Sequence, residues 1–265
     1  MSGEKKSALD LFRLDGKIAL VTGGTGIVGA PISTALAEAG ATVVIASRDA
    51  EQCRKFAASL TQQGLKAEGE RLDLGSEEEI RGLRERILKR HSRLDVLFNN
   101  AVARAGGDLR HTNAEEWDEV MRVNSTGVFL ASQIFSEPMQ AQRSGSIINI
   151  SSIYGVVGPD FSIYESTTYS NPVNYSFAKA GIIGLTRYLA SFLGPFGVRV
   201  NCLSPGGVWT ADTPEKFVGN YSRRTFLGRM AQPEDIKGPA VFLASDASAY
   251  VTGQNIPVDA GWTAM

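Results

Sequence analysis

Short apolar runs rich in Val, Ile and Leu alternate along this chain with longer segments whose apolar residues recur at steps of three and four. The runs show little polar alternation, the pattern of strands covered on both faces. They predict strands at Lys17–Thr22, Thr42–Ser47, Ala67–Leu72, Val96–Asn99, Ser146–Ser151, Val198–Leu203 and Asn255–Val258, of which Ala67–Leu72 is largely polar. The segments between them predict helices at Ile27–Ala39, Ala50–Gln63, Ser76–His91, Ala114–Gln142, Asn174–Leu193 and Pro233–Leu243. Asp49, Ser76 and Asn113 stand where helix N-caps are needed. Strand and helix alternate, so the economical arrangement is an α/β, doubly wound parallel sheet of about seven strands with helices on both faces. No repeat, low-complexity linker or composition break divides the chain. One domain over residues 1–265 is expected, with a short N-terminal extension over about residues 1–15.

Composition narrows the function classes. With 27 basic and 28 acidic side chains the net charge is −1. No basic excess pulls the protein toward nucleic acid or a membrane surface. No apolar run reaches the ~20 residues that a membrane span needs, and residues 1–16 lack the apolar stretch of a secretion signal. Two distant cysteines, Cys53 and Cys202, and two histidines, His91 and His111, offer no spaced metal-ligand set. These features predict a soluble, cytoplasmic, reduced protein without a metal, although a single disulfide remains open.

The first strand runs into Thr22-Gly23-Gly24-Thr25-Gly26-Ile27-Val28-Gly29, and a helix follows. Gly24, Gly26 and Gly29 fit the G-x-G-x-x-G spacing of a dinucleotide site in a Rossmann fold. Glycines there allow a tight turn, a close approach to pyrophosphate, and helix–sheet packing. The helix start adds free N–H groups and partial positive charge for phosphate. Pro31 near that start costs little, because its missing N–H would lack a helical partner anyway.

The end of the second strand bears on the choice of cofactor. A carboxylate there holds the ribose 2′-hydroxyl of NAD, whereas an arginine accommodates a 2′-phosphate. The chain reads Ala46-Ser47-Arg48-Asp49, with Ser47 in place of the acid and Arg48 next. This favours NADP(H) over NAD(H).

Tyr175-Ser176-Phe177-Ala178-Lys179 opens a helical pattern, so the phenol and the ammonium four residues later share a face. A nearby cation stabilises phenolate and lowers a tyrosine pKa from its usual value of about 10, which suits a general acid/base. Tyr154, Tyr164 and Tyr169 have no lysine at that step.

Further motifs follow in order: Asn99-Asn100-Ala101, Val123-Asn124-Ser125-Thr126-Gly127, Asn149-Ile150-Ser151-Ser152, Asn201-Cys202-Leu203-Ser204-Pro205-Gly206, and Gly253-Gln254-Asn255-Ile256-Pro257-Val258-Asp259. Together with Thr22–Gly29 and Tyr175–Lys179, this succession resembles the short-chain dehydrogenase/reductase family, over about Gly16 to Trp262. The resemblance implies a nicotinamide-dependent hydride transfer to a carbonyl or from a secondary alcohol. Tyr175 would exchange the proton at the substrate oxygen, and Lys179 would hold the nicotinamide ribose. Ser152 would hydrogen-bond the substrate oxygen, and Asn124 would sustain a water-linked proton path to Lys179. Strand alternation turns the adjacent Ser151 away, toward a packing or backbone-bonding role. Around the cofactor, Gly23, Gly24, Thr25, Gly26 and Ile27 would form the phosphate turn, with Ser47 and Arg48 at the adenosine ribose. Asp73 and Leu74 would lie near the adenine, and Asn100 and Ala101 near the nicotinamide-side ribose. Pro205 and Gly206 would pass beside the nicotinamide, with Val208 and Thr210 at its carboxamide.

Three departures stand out. Gly26 comes one place early, so Thr22-Gly23-x-x-Gly26-x-x-Gly29 looks more like the family's extended branch of epimerases and dehydratases. That branch carries an additional C-terminal substrate domain, for which 265 residues leave little room. Val102 replaces a usual glycine after Asn99-Asn100-Ala101; either it reshapes the pocket or the backbone there needs no positive φ. Ser152 and Tyr175 lie 23 positions apart, a longer connection than usual, and residues 155–172 form either a wall or lid of the substrate pocket or a subunit-contact loop.

The polar residues of that stretch, with Arg104 and Arg110, would suit a sugar, polyol or sugar acid, whereas Trp209, Phe217 and Phe226 would line an apolar pocket. Other functions compatible with the sequence are an isomerase or dehydratase using bound cofactor transiently, and a non-catalytic cofactor-binding protein. The resemblance also implies a homotetramer or dimer, with Ala114–Gln142, Asn174–Leu193 and the segment Gly253–Met265 as contact candidates.

Overall fold

The computed structural model describes residues 7–167 and 169–264. The start of the N-terminal extension, Thr168 of the 155–172 stretch, and Met265 lie outside the described residues. Seven strands form one sheet: β1 (Ile18–Thr22), β2 (Thr42–Ser47), β3 (Lys66–Arg71), β4 (Val96–Asn99), β5 (Gly145–Ile150), β6 (Val198–Pro205) and β7 (Asn255–Val258). Their order is β3-β2-β1-β4-β5-β6-β7, and every pairing is parallel. The doubly wound α/β fold expected from the periodicity is present.

Helices α1 (Gly29–Glu38), α2 (Ala50–Thr61), α3 (Glu77–His91), α4 (Ala114–Met121), α5 (Val128–Gln142), α6 (Val173–Leu193), α7 (Glu215–Ser222) and α8 (Pro233–Ala244) connect the strands. Alternation along the strands sorts the buried residues into two cores. Ala19, Val21, Val43 and Ile45 pack with α1, α2 and α8 on one face. Leu20, Val44 and Ala46 pack with α3, α5 and α6 on the other. The central strand runs therefore read as largely apolar, because both of their faces are covered.

Asp49, Ser76 and Asn113 all cap their helices, accepting the N–H of Gln52, Glu79 and Glu116 respectively. β3 is polar because it is the sheet edge: its Glu68 and Glu70 pair with Arg90 and Arg86 of α3. Gly69 allows α2 to lie against that strand, since a Cβ there would stand 2.3 Å from the Arg54 nitrogen.

Two sequence expectations need correction. The single helix over Ala114–Gln142 is instead α4 and α5 joined by a π-helical turn, Arg122–Gly127. The apolar spacing continues through the widened turn, so it does not register in the sequence. Helix α7 was not expected, since its eight residues are too few for a clear period. No helix of the described residues is long and apolar enough to cross a membrane. Cys53 and Cys202 are buried free thiols, and burial pushes the Cys202 thiol up to about 11.

Candidate active site

The strand order reverses between β1 and β4, where chains leaving the two strands diverge and open a crevice beyond their carboxyl ends. A cavity of about 930 Å³ lies there. It runs from the glycine turn and the ends of β2 and β3 to the ends of β5 and β6 and the start of α6.

The glycine turn is held from below. The Thr22 hydroxyl donates to the Phe98 carbonyl at 3.1 Å and accepts the N–H groups of Asn100 and Ala101. The Asn100 amide donates to the carbonyls of Thr22 and Gly23 at 2.9 Å. Gly23, rather than Gly24, takes the left-handed conformation, with φ +62°. A Cβ on Gly29 would stand 2.1 Å from the Gly23 carbonyl oxygen, so Gly29 is the close-approach residue. Gly24 packs beneath Ser33 and Ile45 and does not line the cavity, whereas Gly23, Thr25, Gly26 and Ile27 do. The first glycine of the predicted spacing thus gives its tight-turn role to its neighbour. The cradle suits a pyrophosphate: it borders the cavity at a helix start, where Gly23, Gly26 and Gly29 leave room for phosphate oxygens, although the N–H groups of Gly23 and Gly26 are engaged by the Ala46 and Gly23 carbonyls.

At the end of β2, Ser47 and Arg48 line the cavity. The Ser47 hydroxyl donates to the Asp49 carbonyl at 3.2 Å. Arg48 is exposed and has no ion-pair partner among the described residues. Asp73 and Leu74, after β3, line the same end, and Asp73 accepts the Gly75 N–H at 2.8 Å.

Tyr175 and Lys179 enter the cavity from the first turns of α6. The Lys179 Nζ lies 5.5 Å from the Tyr175 ring centroid and donates to the Ile150 carbonyl at 2.7 Å. Burial lowers the Lys179 pKa below its ordinary value, and the Tyr175 phenol opposes that shift. Ser151 donates to the Lys179 carbonyl at 2.7 Å, the backbone-bonding role expected for it. Ser151 and Ser152 both line the cavity, but the Ser152 hydroxyl accepts the Tyr154 N–H at 3.2 Å, which leaves its proton available to another acceptor.

Asn124 lies in the π-helical turn, is 1% exposed, and does not line the cavity. Its Oδ1 accepts the Ala103 N–H at 2.7 Å and its Nδ2 donates to the Ala103 carbonyl at 3.0 Å. Both ends of the amide are occupied. Beneath the cavity, Asn99 donates to Asn149 and Ser132, and Asn149 donates to Thr186.

Asn100, Ala101, Pro205, Gly206, Val208 and Thr210 all line the cavity as expected. Val102 lines it too without a positive φ, so no glycine is needed at that position. The turn after β6 depends on Tyr221, which sequence reading missed because α7 was not legible: its hydroxyl accepts the Gly207 N–H at 2.6 Å.

Part of the stretch 155–172 contributes to the cavity wall. Tyr164, Tyr169, Ser170, Asn171 and Pro172 line the cavity. The Tyr164 hydroxyl lies 2.7 Å from that of Tyr154, and the Tyr164 ring packs 5.6 Å from Phe217 of α7. Burial raises the pKa of both phenols, which keeps them protonated and makes them poor acids. Asp160 pairs with Arg224 at 2.9 Å. Phe217 lines the cavity, but Trp209, Phe226 and Arg110 do not.

Comparison with known proteins agrees with this geometry. A family model described as enoyl-(acyl carrier protein) reductase matches residues 25–263. The chain is 37% identical to a 3-oxoacyl-acyl-carrier-protein reductase of Aquifex aeolicus over 94% of this chain and 98% of that protein. It is 36% identical to a cyclopentanol dehydrogenase of a Comamonas species over 95% and 99%. A gluconate 5-dehydrogenase from Burkholderia cenocepacia, solved with NADP and tartrate, superposes with a TM-score of 0.88 at 31% identity, covering 98% of this chain and 100% of that one.

Proposed function

The chain belongs to the short-chain dehydrogenase/reductase family, and from that premise we propose how its residues divide the work of an NAD(P)-dependent oxidoreductase acting on alcohols or ketones. A bound nicotinamide supplies or accepts the hydride. Tyr175 donates its phenolic proton to the substrate oxygen in reduction and takes it back in oxidation. The Lys179 ammonium favours the phenolate; with one of its three donors on the Ile150 carbonyl, two remain for a ribose hydroxyl and a water. Ser152 donates to the substrate oxygen and steadies its developing charge. Because the Asn124 amide is spent on Ala103, its part in a proton path to Lys179 falls to its main-chain carbonyl, in a turn where π-widening disturbs the usual helical pairing. The observation that carries the reading is the convergence of Tyr175, Lys179 and Ser152 on the cavity that the glycine turn borders.

The cofactor would be held by Gly23, Thr25, Gly26 and Ile27 at the phosphates, with Gly24 packed beneath them. Asp73 and Leu74 would flank the adenine, and Asn100 and Ala101 a ribose. Pro205, Gly206, Val208 and Thr210 would border the nicotinamide. Preference for NADP(H) rests on the unpaired Arg48 and on Ser47 in place of an acid. Arg48→Ala should raise the KM for NADP+ about 10- to 100-fold, the loss of one charge-assisted contact, and leave NAD+ kinetics nearly unchanged. An unaltered ratio of the two specificity constants in steady-state assays would remove that argument.

The substrate we propose is hydroxylated and polar, of sugar, polyol or sugar-acid type, since Trp209 and Phe226 stay outside the cavity while Tyr154, Tyr164, Tyr169, Asn171 and Arg104 line it. Nicotinamide absorbance, followed across a panel of such substrates and apolar ketones with each cofactor, tests the reading. Net change in the reduced cofactor band is expected; turnover without it would favour an isomerase or dehydratase. We also propose a homo-oligomer in the cytoplasm. Phe177, Tyr188 and Phe192 project from α6 and Phe129 from α5, all exposed, which supports pairing of those helices between subunits. Light scattering on the purified protein would give a dimer or tetramer mass.

A further inference from the structure

The charged residues lining the cavity divide by position. Arg48, Asp49 and Asp73 lie at the ends of β2 and β3, whereas Arg104 and Lys179 are alone among charged residues on the described wall around Tyr175. The Arg104 guanidinium lies 5.3 Å from the Tyr175 ring centroid. No ion pair engages it among the described residues. Its charge adds to the depression of the Lys179 pKa and opposes the burial-driven rise of Tyr164.

Arg104 is exposed, but its main chain is not free to wander. On one side Ala103 is gripped through both N–H and C=O by Asn124. On the other, Asn174 donates to the Ala105 carbonyl at 3.1 Å. Both asparagines are 1% exposed, and Asn174 directly precedes Tyr175 in α6. Two buried side chains thus hold the main chain on either side of one cation beside the phenol, and among the described residues lining that part of the cavity there is no carboxylate. A fixed positive group in a concave site selects an anion.

We infer that Arg104 is the specificity-determining residue of this enzyme and takes the carboxylate of a hydroxy acid or keto acid, with that carboxylate a few bonds from the reacting carbon. This rests on the oxidoreductase reading above. In oxidation the carbinol C–H bond breaks, its hydride passes to NAD(P)+, the hydroxyl proton passes to Tyr175, and the carboxylate is unchanged. Bidentate N–H···O bonds from a planar guanidinium fix its orientation, and a lysine cannot reproduce them.

The test uses pairs of similar shape that differ in charge: gluconate against glucitol, and 3-hydroxybutyrate against its methyl ester. Binding to the NADP+-loaded protein is measured by calorimetry, and turnover by nicotinamide absorbance, for wild type, Arg104→Leu and Arg104→Lys. At least one carboxylate should bind more tightly than its neutral partner. Arg104→Leu should weaken that carboxylate about 10- to 100-fold, mainly in Kd and KM, with Arg104→Lys intermediate and the Kd of the neutral partner moving by less than about threefold. Equal affinity for charged and neutral partners in wild type, or undiminished carboxylate binding in Arg104→Leu, overturns the inference. Cofactor accounting separates the two claims: product formed without net change in the reduced cofactor band removes the oxidoreductase assignment, while the Arg104 binding result stands by itself.

Discussion

Tyr175→Phe should lower kcat about 100- to 10,000-fold, the range for loss of a positioned acid/base, while the affinity for NADP+ stays within about threefold. The split follows from the geometry. The substitution removes one hydroxyl and keeps the ring that packs near Arg104 and Lys179. Lys179 remains anchored on the Ile150 carbonyl, so the cofactor side of the cavity is undisturbed. Tyr154→Phe is the informative companion, because Tyr154 lines the same cavity and is also a phenol. Its hydroxyl is engaged with Tyr164 and its pKa is raised by burial, so it can shape the wall but not exchange protons readily. Its loss should cost less than about tenfold in kcat. Steady-state kinetics with calorimetric NADP+ titration separates the cases. If Tyr175→Phe turned over substrate at the wild-type rate, the acid/base assignment would be wrong.

Gly29→Ala should damage both stability and cofactor binding, although it adds a single methyl group. The new carbon would meet the Gly23 carbonyl oxygen at 2.1 Å, the Asn100 amide at 2.7 Å and Gly24 Cα at 2.8 Å. Two of these neighbours are backbone, and the third is pinned to the carbonyls of Thr22 and Gly23. The turn itself must move. A cost of about 1–3 kcal/mol in unfolding free energy is expected, as for other overpacked sites. NADP+ affinity should fall about 10- to 100-fold, since displaced N–H groups no longer converge on the phosphates. Gly238→Ala is the control. It lies exposed in α8 with nothing within 4 Å of its added carbon, so it should be neutral or stabilise by up to about 1 kcal/mol. Denaturant melts and cofactor titrations of the two variants decide the matter. Equal behaviour would mean that the turn tolerates a side chain and that its glycines do not create the phosphate site.

The elements most legible in the sequence were those whose cause is local. β2, β4 and β7 lie where the apolar runs placed them, and α2, α3 and α4 start behind their predicted caps. A cap is a contact three residues long, and a buried strand announces itself through its own composition. Tyr175 and Lys179 were equally readable, because four residues of helix suffice to put them on one face. β3 was faint because an edge strand satisfies its polar side chains with a neighbouring helix, through Glu68, Glu70, Arg86 and Arg90.

What the chain alone determined, then, is the succession of strands and helices, the glycine turn, and the tyrosine–lysine step, all written in spacings of a few residues. Only the folded molecule decided that Gly23 rather than Gly24 carries the left-handed turn, that a π-turn interrupts the long helix, and that Asn124 and Asn174 clamp the loop bearing Arg104 beside the phenol. The clamp joins partners 21 and 69 positions apart in the chain, and the Gly23 carbonyl is held by Asn100 77 positions away. Periodicity carries no information about such distances, and packing does.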